Sequence, residues 1–222
     1  SCDWSSDVCS FDLYKVLFDE VPVGTKAFDP ENKIVFGVGP LTGSGATCSG
    51  RVSITAIWPV GDPDTMVGTG HMGGHWGPEL KFAGWDSVII EGKADHPVWL
   101  SIMDDKVEIC DARQLWGNGI YRATAEICGQ MGAGAQVAAI GQAGENLVRL
   151  SVVMNSYSHS AGGVGCVMGS KNLKAIGVIG TGGVVINSDK KAWKDLNKYV
   201  LSIIGSNNQA VVPNSPQPWA EY

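Results

Sequence analysis

SVIIEGKADHPVWLSIMDDKVEIC, Ser87 to Cys110, places three apolar stretches close together with no helical pattern between them. Ser87–Glu91, Val98–Met103 and Val107–Cys110 each have the length and β-branched content of a strand. Asp104-Asp105 supplies a hairpin turn between the last two. Working outward, Lys33–Val38, Arg51–Ile57, Ala135–Ile140, Leu147–Met154 and Lys174–Ile179 read as further strands. Helical spacing is expected over Gly74–Asp86, Ile120–Met131, a short Cys166–Lys171 and Asp189–Ile204. Strands outnumber helices and often follow one another directly. The expected fold class is therefore α+β rather than an alternating parallel sheet.

The chain has 222 residues, a formal net charge of −6 and 44% hydrophobic residues. That supports one large domain, or one domain and part of another. An acidic balance gives no support to a nucleic-acid partner, which calls for a basic face. No apolar run approaches the ~20 residues of a membrane span. Nor does the start show the basic and apolar regions of a signal peptide, so a cytoplasmic location is expected. The six cysteines include no C-x-x-C pair, which disfavours a zinc or iron–sulfur site built on one turn. Cys48, Cys110, Cys128 and Cys166 are expected to be ordinary buried or half-buried thiols. The first 13 residues, SCDWSSDVCSFDL, have no period and read as a translated adaptor tail; Cys2 and Cys9 lie there. The last, VVPNSPQPWAEY, are proline-rich.

Thirty glycines, many in clusters, suggest backbone-mediated binding or many tight turns. Gly37-Val38-Gly39 follows a strand, but Gly43 comes one residue late for G-x-G-x-x-G, Pro40 interrupts, and a strand follows instead of a helix. A dinucleotide site needs that helix N-terminus. No G-x-x-x-x-G-K-[ST] loop is present. Two segments suit an anion better: Gly73-Gly74 before one helix, and Gly162-Gly163-Val164-Gly165 before another. Arg51 would add a bidentate contact, or is a surface charge. His71 and His75 have i, i+4 spacing, but two glycines lie between them and the glutamate of H-E-x-x-H is missing. Packing of a loop histidine on a ligand or on Trp76 competes with a metal pair.

Four stretches then carry a resemblance: PENKIVFGVGPLTGSGATCSGR (30–51), GGHWGPELKFAGWDSVIIEGKA (73–94), AAIGQAGENLVRLSVVMN (138–155) and GGVGCVMGSKNLKAIGV (162–178). Together they resemble the N-terminal domain of aldehyde ferredoxin oxidoreductases, and look most like an enterobacterial branch of that family. The resemblance implies a two-sheet base carrying tungsten or molybdenum on a bis-pyranopterin cofactor. It also implies a [4Fe-4S] cluster, oxidation of aldehydes or related substrates, and a ferredoxin-like iron–sulfur acceptor. Carried over by position, Arg51 contacts the pterin and Gly73 lies in a second contacting loop. His71 and Met72 fall where family members have Asn and Ser; the His71 backbone carbonyl would serve a bridging Mg. The third loop, His159 to Gly165, lacks two arginines of the family pattern. It would bind through Ser160, Ala161, Gly162 and Gly163, largely by backbone N–H groups.

Three parts are expected: residues 1–13, an adaptor-derived or disordered tail on their lack of pattern; and, as the resemblance implies, 14–185, a pterin-binding domain lacking its first strands, and 186–222, the truncated start of a following helical domain. Cluster cysteines and catalytic groups would lie in later domains, so the fragment is expected to be inactive alone. Two other classes stay open: a non-catalytic pterin- or phosphate-binding module, and a structural domain that has lost its ligand.

Overall fold

The computed structural model describes residues 10–61, 65–155, 157, 159–187 and 189–211. In chain order the elements are α1 (Ser10–Glu20), β1 (Ile34–Val38), β2 (Val52–Ile57), β3 (Val67–Met72), α2 (Trp76–Phe82), β4 (Ser87–Ile90), β5 (Val98–Met103) and β6 (Lys106–Asp111). Then come α3 (Ile120–Met131), β7 (Gln136–Ile140), α4 (Gln142–Glu145), β8 (Val152–Asn155), β9 (His159–Gly162), α5 (Gly165–Ser170), β10 (Leu173–Ile179) and α6 (Lys190–Val211). They form two sheets: a four-stranded antiparallel one, β3-β2-β1-β4, and a six-stranded one, β6-β5-β10-β7-β8-β9. The α+β expectation holds. One pair, β5 with β10, is parallel, and the chain between them contains β6, α3, β7, α4, β8, β9 and α5.

Period-two burial explains the layering. Ile34, Phe36 and Val38 of β1 and Val52, Ile54 and Ala56 of β2 face one core. Leu100 and Ile102 of β5, Ala138 and Ile140 of β7, and Ile176 and Val178 of β10 meet them from the other sheet. The opposite face of the larger sheet carries Trp99, Val137, Ala139 and Ala175 against Ile127 of α3. On the outer face of the smaller sheet, Leu13 and Leu17 of α1 cover Val35. Helix α1 thus straddles the expected boundary at residue 13 and buries Leu13. Residues 1–9, with Cys2 and Cys9, and the tail 212–222 lie outside the described residues.

Trp76 ties the two sheets together. Its buried ring is tilted against Phe36 with centroids 5.5 Å apart, and its indole N–H donates to the Ile176 carbonyl at 3.0 Å. A buried indole keeps that bond because an unpaired N–H in the core is costly.

Several element expectations need correction. Strand β3 is absent from the sequence reading because Gly68 and Gly70 break its alternation. Both glycines are dictated by packing: a Cβ at Gly68 would lie 2.2 Å from the Trp58 ring, and one at Gly70 would lie 2.9 Å from the Gly162 carbonyl. Strand β9 occupies what reads as a loop. The stretch expected as a strand from Leu147 begins only at Val152, because Leu147 takes a left-handed φ of 57° after α4. Cys48 is exposed rather than buried or half-buried; Cys110 and Cys128 are half-buried, and Cys166 is buried.

Candidate functional site

The two glycine segments expected to hold an anion are brought side by side. β3 is an edge strand of the smaller sheet and β9 an edge strand of the larger, and the two pack against each other. The Gly73 position lies directly over His159, where a Cβ would come 2.8 Å from Cδ2. Arg51 joins them through strand register. β2 pairs with β3 from Val52–Met72 to Ile57–Val67, so Arg51 and Gly73 stand one residue beyond the ladder end. Arg51, His71 to Gly73 and Ser160 to Gly162 therefore converge from three chain segments.

Their exposures separate side-chain from backbone roles. Arg51, His71, Ser160 and Gly162 are exposed. The Arg51 guanidinium has no hydrogen-bond or ion-pair partner among the described residues. The His71 imidazole Nδ1 lies 3.1 Å from the Ser53 hydroxyl, a neighbour on β2 that the sequence reading did not single out. Beside them, the Thr55 and Thr69 hydroxyls are 2.8 Å apart and Thr69 bonds the Tyr14 hydroxyl at 2.9 Å. Met72 and Ala161 differ: their side chains are core, at 0% and 1% exposure. A ligand can reach those two residues only through backbone, as the alternation of a strand with one buried face requires.

Amides beside the first expected cradle, and two within the second, are already used within the protein. Helix α2 begins at Trp76, two residues later than expected. Its leading amides, His75 N–H and Trp76 N–H, donate to the Asn155 side-chain Oδ1 at 3.0 and 3.2 Å. Before α5, the Gly163 and Gly165 amides both donate to the Ser151 carbonyl, at 3.0 and 3.2 Å. The space above Gly163 is filled by Trp58, whose Cζ2 would lie 2.5 Å from an added Cβ, and its φ of +76° suits glycine. Gly162 is different, with nothing within 4 Å of an added Cβ. The Asn155 cap, the Trp58 plug and the Ser53 partner are not legible in the sequence, since the glycines that Trp58 packs on, Gly68 and Gly163, lie far apart in the chain.

The lysines that follow α5 are structural as well. Lys171 is 2% exposed and donates to the Pro30 carbonyl at 3.1 Å and the Gly92 carbonyl at 2.9 Å. Burial pulls its pKa down to about 8, against the opposing pull of Glu31 and Glu91. Lys174, fully buried, pairs with Glu145 and donates to the Asn118 carbonyl at 2.8 Å; burial lowers its pKa, opposed by Glu145. Arg51 is thus the exposed cation at the convergence, while these two are committed to the fold.

A family model described as the aldehyde ferredoxin oxidoreductase N-terminal domain matches residues 13–180. The chain belongs to this family. A tungsten-containing aldehyde ferredoxin oxidoreductase of Pyrococcus abyssi (strain GE5 / Orsay) is 47% identical over 173 residues, which is 77% of this chain and 28% of that protein. An aliphatic sulfonate oxidoreductase WOR-like subunit of Pyrococcus furiosus is 36% identical over 200 residues, covering 82% and 31%. Among solved structures, the active site complex BamBC of benzoyl coenzyme A reductase superposes with a TM-score of 0.84 at 37% identity, covering 92% of this chain and 31% of that one. The chain spans less than a third of the length of these relatives. For an aldehyde ferredoxin oxidoreductase N-terminal domain, the two-sheet expectation holds. Among the described residues no three metal-ligating side chains come together, and no helix is long and apolar enough to cross a membrane.

Proposed function

We propose that this chain is the pterin-bearing part of a tungsten- or molybdenum-dependent oxidoreductase. The observation that carries the reading is the convergence of an exposed Arg51, without a partner among the described residues, with the half-buried backbone of Gly73 and the exposed backbone of Gly162. The donor set fits a phosphate-bearing pterin. A guanidinium matches a phosphate in fork geometry, and Gly162 leaves open space for close backbone approach. The tungsten in the names of several relatives supports that metal.

When bound, the metallopterin supplies two-electron redox chemistry; the protein binds and orients it. Arg51 neutralises phosphate charge. His71, held at Nδ1 by Ser53, offers its other ring nitrogen as a polar contact, and its backbone carbonyl is the candidate ligand for a bridging Mg. Ser160 offers a hydroxyl in place of the missing arginines. Met72 and Ala161 hold the two strands in place with their buried side chains, and Gly163 leaves room for Trp58, so none of the three offers the group a side chain. In a longer protein, an aldehyde or related substrate would be oxidised and electrons passed through a [4Fe-4S] cluster to a ferredoxin-like acceptor in the cytoplasm. The sulfonate and benzoyl coenzyme A names among the relatives support substrate choice by residues outside this part.

The test is to purify the 222-residue chain from a pterin-producing host grown with tungstate. Bound pterin is read as its oxidised fluorescent product and metal by mass spectrometry. Stoichiometric pterin, lost in Arg51→Ala while the two proteins freed of pterin melt at the same temperature, is the expected result. Equal pterin in both proteins, or none in either, overturns the assignment of Arg51 and its neighbours. No aldehyde-dependent viologen reduction is expected from the chain alone; measurable turnover would refute the inactive-fragment reading.

A further inference from the structure

The cap on α2 does more than satisfy two amides. Asn155 is the last residue of β8 and is 1% exposed. Its Oδ1 accepts from His75 and Trp76, at the end of the segment that begins with His71. Its Nδ2 donates to the Val137 carbonyl on β7 at 3.0 Å. It is also paired in register with His159, the first residue of β9, whose ring lies under Gly73. One side chain therefore fixes the start of α2 to the larger sheet at the point where β9 departs.

We propose that Asn155 is the positioning residue that sets the spacing between the two cofactor segments, His71–Gly73 and Ser160–Gly162. This inference rests on the proposed function for its consequence, but its geometry stands without it. The β3 side belongs to the smaller sheet and the β9 side to the larger, and the two sheets meet through interdigitated side chains rather than a backbone ladder; beside the Trp76 indole bond to Ile176, the Asn155 amide is a second polar link between α2 and the larger sheet. An amide is suited to the link because it needs an acceptor toward α2 and a donor toward Val137. Aspartate preserves the first and loses the second. Leucine, similar in volume, loses both and leaves two amides and a carbonyl unpaired.

The experiment compares the full chain with Asn155→Leu, Asn155→Asp and the milder Asn155→Ser. Amide hydrogen exchange is read at His75, Trp76 and Ser160 to Gly162, alongside bound pterin. Asn155→Leu is expected to speed exchange at His75 and Trp76 about tenfold or more, to loosen Ser160 to Gly162, and to lose pterin. Asn155→Asp is expected to restore protection at His75 and Trp76 and part of the pterin. Should Asn155→Leu fail to fold, Asn155→Ser must show the same paired loosening to a smaller degree. Loosening confined to α2, with β9 exchange and pterin unchanged, overturns the proposal. So does an aspartate variant no better than leucine. If the unsubstituted chain carries no pterin, the cofactor reading fails, while coupled exchange at the two segments still decides the positioning role.

Discussion

Two neighbouring regions of this molecule are rich in glycine and cations, yet they do opposite things. From Gly163 to Lys174 the polar groups turn inward: two amides to Ser151, Lys171 to two carbonyls, Lys174 to Glu145. At Arg51, His71 and Gly162 they stay exposed. Composition does not separate the two; the destination of each N–H does. A glycine amide already bonded within the fold cannot also hold a phosphate, and a buried lysine held by carbonyls has its ammonium committed out of a phosphate's reach.

The largest effect should come from breaking the inward region at its ion pair. Glu145 is 4% exposed and Lys174 0% at the side chain, so Glu145→Leu would strand a buried charge. A loss of about 3–5 kcal/mol in urea unfolding is expected. A loss below ~1 kcal/mol would show that water reaches the pair. Next, Gly165→Ala would drive a Cβ to 2.6 Å from the Val152 carbonyl, costing about 1–3 kcal/mol as overpacking. Gly162→Ala, three residues earlier with nothing within 4 Å, should melt within a degree or two of the unsubstituted chain. Equal destabilisation by the two would erase the distinction between the regions.

Lys171 sharpens the comparison through pH. Its folded-state pKa of about 8 lies below the ordinary lysine value of 10.5. Between these values the unfolded chain binds the extra proton, so stability should rise as pH climbs through that window. The rise attributable to this group is up to about 3 kcal/mol. Below pH 8 both states are protonated and its contribution is flat. Lys174, also lowered by burial, tilts the profile the same way. The informative quantity is thus the slope of the unsubstituted chain minus that of Lys171→Met, from chemical unfolding at pH 7 to 10.5. An unchanged slope would mean that Lys171 is hydrated.

Strand pattern made most of the fold legible: the Ser87–Cys110 strands, the Asp104-Asp105 turn and helix α3 follow from period and turn chemistry alone. What stayed hidden depended on contacts distant in sequence. Strand β3 could not be read because its glycines answer to Trp58 and to β9. The α2 cap could not be read because its partner, Asn155, lies 80 residues from His75. The candidate residues were legible through resemblance, yet the roles of Met72, Ala161 and Gly163 were not, since a one-residue alternation decides which faces the core.

The smallest expected effect on stability is the one that bears most on function. Arg51 is exposed and unpartnered among the described residues, so Arg51→Ala should change unfolding free energy by less than about 0.5 kcal/mol. Arg51→Lys keeps the charge but replaces a planar fork with a point charge. If phosphate geometry matters, lysine should retain pterin only partly, between the arginine and alanine proteins, and its retention should fall faster as salt is raised. If lysine serves as well as arginine at every ionic strength, the site recognises charge alone. Arg51 would then act as a surface cation near the cofactor rather than as its ligand, and the outward region would lose the feature that most clearly separates it from Lys171 and Lys174.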